Sequence, residues 1–346
     1  MASLVRLALA LVLLALPAAA PLAAQPAASS APSSARGRVV ADTLWSAALG
    51  TRKQFVVYLP PSYDREPARR YPVAYYLHGL WGNEWNWERS GGLSATMDSL
   101  VAAGGPEMLV VMPDGDDSWY TTWNALVTAA DCQRDTVRQE PAASYCVPWP
   151  HYDDYVARDL VARVDSAYRT RPGRATRGIA GLSMGGYGAV TLALRYPDVY
   201  SAAASHSGVL APLLVGASPF DAQSPPRYAA DPDTIARRWG GRAGAGLLLA
   251  FGRDTAAWWA RDPGRMAAAL RRRDARLLPA LMFDVGVDDS TRDQNRALHH
   301  TLDALGVPHR YAEWPGKHDW AYWRGHLGES LAWLGARIAG PGAAGR

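Results

Sequence analysis

The stretch Gly178-Ile179-Ala180-Gly181-Leu182-Ser183-Met184-Gly185-Gly186-Tyr187 decides how the rest of this chain reads. It opens with short apolar residues, as a strand covered on both faces would. It closes by leading into Ala189-Val190-Thr191-Leu192-Ala193-Leu194, rich in helix-forming Ala and Leu. Between the two stands a G-x-S-x-G pentapeptide. A serine on so tight a turn has a strained backbone, and small neighbours let the chain fold back while the hydroxyl stays free. The bare pentapeptide recurs by chance in unrelated chains. Here it has the strand before it and the helix after it that a nucleophile elbow requires.

Working outward, short apolar runs bounded by turn residues predict strands at 39–45, 53–59, 71–77, 108–112, 177–180, 202–205, 280–285 and 309–314. Tyr155, Val156, Leu160, Val164 and Tyr168 fall at helical spacing and predict a helix over 153–169. Further helices are predicted at 185–195, 266–273, 293–305 and 325–338. Strands alternating with helices argue for a mostly parallel sheet with helices on both faces, an α/β-hydrolase fold. Residues 39–340 form one domain on this reading. Two stretches break the alternation: an insertion at 124–150, and a cap-like segment at 209–263 rich in Pro, Gly, Ala and Asp. Segments of this length tend to be lids or binding loops.

Of 346 residues, 49% are hydrophobic and 20% charged, an ordinary balance for a globular protein with a large core. The net charge of +4 is spread without a basic run, which gives no case for nucleic acid. Arg6, the apolar residues 7–16 and the small residues 17–24 have the order of a secretory signal peptide, 1–24, followed by a Pro/Ala/Ser-rich tether, 25–38. The apolar run is too short to span a bilayer. The expected location is therefore secreted or periplasmic, with no stable membrane association after cleavage; an uncleaved anchor is the alternative. Cys132 and Cys146 are the only cysteines. In an oxidising compartment they are expected to pair, placing a disulfide in the inserted loop and stabilising the fold by roughly 3 kcal/mol. Two free thiols are the other reading.

A serine hydroxyl is a weak nucleophile until a base takes its proton. In this fold the chain order is serine, acid, histidine. His318 sits in Trp314-Pro315-Gly316-Lys317-His318, just beyond the last predicted strand, where open α/β sheets meet their ligands. His206 also follows a strand and is its rival; His299 and His300 fall within a helix and read as surface or packing residues. The acid belongs on the loop after 280–285, where Asp288 and Asp289 are adjacent and spacing alone does not separate them. Backbone donors for an oxyanion are expected from Met184, the residue after the serine, and from Leu80 in His78-Gly79-Leu80-Trp81-Gly82. His78 precedes the serine and reads as a brace for that loop.

These residues, together with Tyr76-Leu77, Met112-Pro113-Asp114-Gly115, Ser118-Trp119-Tyr120-Thr121 and Asp319-Trp320, resemble the esterase D-like esterases. That group includes tributyrin esterases, S-formylglutathione hydrolases, antigen 85-type mycolyltransferases and some feruloyl esterases. The resemblance runs over about 39–334. It implies Ser183, Asp289 and His318 as the catalytic triad and Leu80 and Met184 as oxyanion donors. Nothing in the sequence suggests a metal or organic cofactor. The insertion at 124–150 departs from plain tributyrin-type relatives, so substrate preference does not carry over.

Many of the fourteen tryptophans fall on loops predicted to surround the serine. Trp81, Trp119 and Trp320, with Tyr187, are candidate substrate contacts, able to stack on a sugar or an aromatic acyl group. The alternative is that such rings brace long loops. The expected partner is a small-molecule or polysaccharide-linked ester, feruloyl-like or carbohydrate-linked. Acyl transfer to a sugar is the second reading, and a non-catalytic binding protein on the same fold the third. S-formylglutathione hydrolysis is disfavoured because it belongs in the cytosol.

Overall fold

The computed structural model describes residues 36–123, 146–216 and 225–340. The expected signal peptide and residues 25–35 of the expected tether lie outside them, as do Cys132 and with it the Cys132–Cys146 pairing. One compact unit begins at Ala35.

Eight strands form one sheet: β1 (Arg38–Ser46), β2 (Thr51–Leu59), β3 (Val73–Leu77), β4 (Leu109–Pro113), β5 (Arg177–Leu182), β6 (Ala202–His206), β7 (Ala280–Gly286) and β8 (His309–Trp314). Their spatial order is β1-β2-β4-β3-β5-β6-β7-β8. The β1–β2 and β2–β4 pairs are antiparallel and the other five are parallel. This is an α/β-hydrolase-like sheet. In β4, Leu109 and Val111 join one core layer, and Val110 and Met112 the other. Alternate side chains thus enter two apolar layers, which is why the central strands read as unbroken apolar runs.

The principal helices are α1 (Leu93–Ala102), α2 (Leu160–Ala167), α3 (Met184–Arg195), α4 (Pro232–Trp239), α5 (Gly241–Phe251), α6 (Pro263–Asp274), α7 (Arg292–Ala304) and α8 (Trp320–Ile338). Three departures from expectation have physical causes. The helix expected over 153–169 is interrupted at Tyr155–Asp159 by a π-helical turn, and Tyr168 beyond its end is extended. The wide turn lets Tyr152, Tyr155 and Val156 all reach the core. The last helix begins at Trp320, because the Asp319 carboxylate accepts the Tyr322 N–H and caps it. The cap-like segment carries α4 and α5. Pro232 follows the capping Asp231, while Gly-rich α5 is held by burial of Leu247, Ala250 and Phe251.

The insertion leaves and rejoins the body at one point. The Trp123 N–H donates to the Pro150 carbonyl at 3.0 Å, and Thr122 bridges to His151. Residues 124–145 lie outside the described set.

Candidate active site

Ser183 sits between β5 and α3 at φ 52°, ψ −117°, a conformation an L-residue holds only when its surroundings enforce it. The flanking glycines explain how. A Cβ on Gly185 would stand 2.4 Å from the Leu77 carbonyl oxygen, and one on Gly181 would stand 2.3 Å from that of Gly185. The Ser183 N–H donates to the His206 carbonyl at 2.9 Å, which fixes the serine at the end of the sheet.

The loop after β8 brings His318 to it. His318 Nε2 lies 2.9 Å from Ser183 Oγ, and Nδ1 lies 2.9 and 3.0 Å from the two Asp289 oxygens. Asp288 is exposed, while the Asp289 side chain is wholly buried. Thr291 donates to Asp289 Oδ1 through both its N–H and its hydroxyl, at 2.7 and 2.8 Å. Burial raises the Asp289 pKa, but the His318 and Thr291 hydrogen bonds outweigh it and hold the carboxyl below its usual range. A histidine so oriented presents a bare Nε2 to the hydroxyl and has a carboxylate beneath it to stabilise an added proton. Its ring is further fixed by Trp323, edge-on at 5.0 Å.

His206, the rival, has no exposed surface. Its Nδ1 lies 2.8 Å from Asp284 Oδ2 and its Nε2 2.8 Å from Ser330 Oγ, inside the core. It packs; it cannot meet a substrate.

The loop after β3 crosses the elbow closely, since a Cβ on Gly79 would lie 3.4 Å from that of Ser183. The loop that carries Leu80 therefore passes against the elbow. Met184 opens α3, so its N–H is among the first-turn donors that no helical carbonyl takes. His78 is buried and locked from both sides. Its Nδ1 donates to the Gly79 carbonyl at 2.8 Å, and its Nε2 accepts the Gly115 N–H at 2.9 Å. Burial pushes its pKa below the ordinary value, keeping it neutral for this brace.

Two features went unread in the sequence. Lys53 is buried with its ammonium 2.5 Å from Asp114 and 2.9 Å from Asp116, and Tyr152 also donates to Asp116. This charged knot anchors the loop after β4, and Asp114 in the Met-Pro-Asp-Gly stretch was its visible trace. On that loop Asp117 accepts the Trp81 N–H at 2.6 Å, and Arg242 of α5 lies 3.4 Å from its other oxygen. Asp117 thus ties the cap-like segment to the Leu80 loop.

The aromatic expectations divide. Trp81, two residues beyond Gly79 on the loop that crosses the elbow, is 67% exposed. Trp320 is half-buried, edge-on to Trp87 and Trp323. Trp119 and Tyr187 are corrections: both are enclosed, packing on each other and on Phe251, with Trp239 also against Trp119. The left-handed residues Asp116, Trp119 and Tyr120 turn the loop so that the Trp119 indole faces inward. Tyr187 donates to the Arg261 carbonyl, as a core tyrosine must find a partner.

Comparison with known proteins finds relatives of this chain. The family described as "Putative esterase" matches residues 46–334. An esterase of Mycobacterium tuberculosis is 26% identical over 291 residues, covering 79% of this chain and 54% of that protein. An endo-1,4-beta-xylanase/feruloyl esterase of Xylanibacter ruminicola is 27% identical over 167 residues, 47% of this chain and 20% of that one. This chain therefore spans about half the length of the first relative and a fifth of the second. A solved ferulic acid esterase superposes with a TM-score of 0.64 at 25% identity, covering 88% of this chain and 99% of that one.

Proposed function

This chain belongs to that esterase family, and from this premise we propose that it is an exported serine carboxylesterase acting through an acyl-enzyme. The observation that carries the reading is the 2.9 Å contact from His318 Nε2 to Ser183 Oγ, with Asp289 on the far nitrogen. Ser183 Oγ attacks the ester carbonyl while its proton passes to His318 Nε2. The tetrahedral oxyanion is received by the N–H groups of Leu80 and Met184. The carbon–oxygen bond to the alcohol then breaks, and His318 returns the proton to the leaving oxygen. Water repeats the sequence on the acyl-enzyme, releasing the acid and restoring Ser183.

The substrate class we infer is an ester of a feruloyl-like or carbohydrate-linked acid. Its supports are the feruloyl esterase relatives and the exposed Trp81 on the loop that crosses the elbow. Export rests on the charged, apolar and small-residue order of 1–24.

A fluorophosphonate probe should label wild-type protein at Ser183 and leave Ser183→Ala unlabelled, read by peptide mass spectrometry. Folded protein that takes no label would end the enzyme reading. A panel of p-nitrophenyl acetate, butyrate and octanoate, methyl ferulate and acetylated xylan then tests substrate class. Methyl ferulate or the xylan should give the highest kcat/KM, and preference for a plain p-nitrophenyl acyl chain would refute it.

Asp117 adds a positioning prediction. Asp117→Ala frees the Trp81 N–H and loosens the loop carrying Leu80, so kcat should fall about 10- to 100-fold with KM little changed. Asp117→Asn, which keeps an acceptor for that N–H, should recover most of the loss.

A further inference from the structure

Three side chains that the ester chemistry does not use converge at the end of β8 far from His318. His299 and Asp303 lie one turn apart on α7, and His309 opens β8. His299 Nδ1 is 2.8 Å from His309 Nε2. Asp303 lies 3.4 Å from His299 Nε2 and 3.9 Å from His309 Nε2. One donor atom of each residue falls within 4.8 Å of the others.

Counting protons shows what the cluster lacks. His309 Nδ1 faces the Val307 carbonyl at 2.8 Å. A carbonyl only accepts, so Nδ1 carries the proton and Nε2 is a bare lone pair. Neutral His299 has one ring proton to share between two neighbours, His309 Nε2 and the Asp303 carboxylate. Wherever it goes, the other contact sets two acceptors face to face. A cation taken by His299 Nδ1 and His309 Nε2 would resolve both contacts, because His299 Nε2 then keeps the ring proton for the Asp303 carboxylate. The rings are also held for it: His309 stacks on Phe283 at 5.4 Å and 6°, and His299 on Tyr311 at 4.6 Å and 27°. The Val307 carbonyl on His309 Nδ1 is the outer partner that metal-ligating histidines commonly have.

We propose that His299, Asp303 and His309 form a site for a divalent transition metal of the imidazole-preferring class, with Zn2+ as the reference ion. Two imidazoles and one carboxylate leave a fourth tetrahedral position for water. Bonds of about 2.0–2.1 Å put tetrahedral nitrogens roughly 3.3 Å apart, so the two rings separate by about half an ångström on binding. His309 is nearly enclosed and Asp303 is 60% exposed, so the ion is reached from solvent at the protein's edge. With about 3.3 Å per strand residue, the length of β8 keeps it well away from Ser183. Its effect is to strap α7 to the edge strand.

The test uses the full chain, stripped with a chelator and titrated with ZnCl2 by calorimetry. One equivalent should bind saturably, and saturation should raise Tm by several degrees. His299→Gln and His309→Gln should each weaken binding at least tenfold, and the exposed Asp303→Asn should weaken it measurably without disturbing the fold. His318→Ala should bind as wild type, which separates this site from the serine centre. Far-UV circular dichroism and p-nitrophenyl butyrate hydrolysis check that the His299, Asp303 and His309 variants are folded. Absence of saturable binding, or wild-type affinity in folded Asp303→Asn and in the folded histidine variants, overturns the proposal.

Discussion

Ser183→Ala or His318→Ala should lower kcat by on the order of 10⁴-fold or more, with secondary structure and Tm nearly unchanged. The size follows from the division of labour. Without Oγ no acyl-enzyme forms, and without the imidazole the hydroxyl keeps its proton at neutral pH. What remains is the contribution of the oxyanion donors and of binding, which act on water as a poorer nucleophile. The fold should survive for reasons specific to each position. Ser183 is held at φ 52° by backbone contacts of the elbow, and alanine loses only the oxygen. His318 lies on a loop with its side chain 29% exposed, so truncation opens no core cavity. The double variant should be about as slow as either single one, because the two groups act as one unit. Steady-state kinetics on methyl ferulate, with circular dichroism alongside, checks all three. A single variant retaining a tenth of wild-type kcat would remove the assigned role.

Legibility in the sequence followed the strength of local constraint. The elbow was readable because only small residues fit where Gly181 and Gly185 meet carbonyl oxygens. The central strands were readable because burial on both faces leaves unbroken apolar runs, as in Val73–Leu77. The approach of His318 to Ser183 was readable only as chain order, since 135 residues separate them and loop geometry sets the contact. The aromatic rings were the weakest signal. A tryptophan on a predicted loop looks the same in sequence whether its loop turns it out, like Trp81, or in, like Trp119. The helices of the cap-like segment were obscured by glycine in α5, although Asp231-Pro232 is an ordinary helix start. The Lys53–Asp114–Asp116 knot joins two strand ends, and no local pattern announces such a meeting.

The neighbouring aspartates give the sharpest test of side-chain direction. Asp289→Asn should reduce kcat by about 10²- to 10⁴-fold, whereas Asp288→Asn should change it less than about threefold. In wild type the Asp289 carboxylate accepts from His318 Nδ1, which forces that nitrogen to hold the proton and leaves Nε2 free for Ser183. An asparagine whose amide turns its N–H2 toward the ring donates instead, reverses the tautomer and puts a proton on Nε2, where the base must be empty. The Thr291 N–H and hydroxyl favour that outcome, because both donate to Oδ1 and so require an acceptor there. Asp288 has no such geometry; its own N–H donates to the Gly316 carbonyl and its side chain faces solvent. The depressed pKa of Asp289 has a further consequence of definite sign. Its contribution to stability is present above the ordinary aspartate range and is lost as pH falls through its lowered value. Asp289→Asn should therefore narrow the stability gap to wild type in acid, read as Tm against pH. Equal kinetic penalties at 288 and 289 would contradict the orientation on which the mechanism depends.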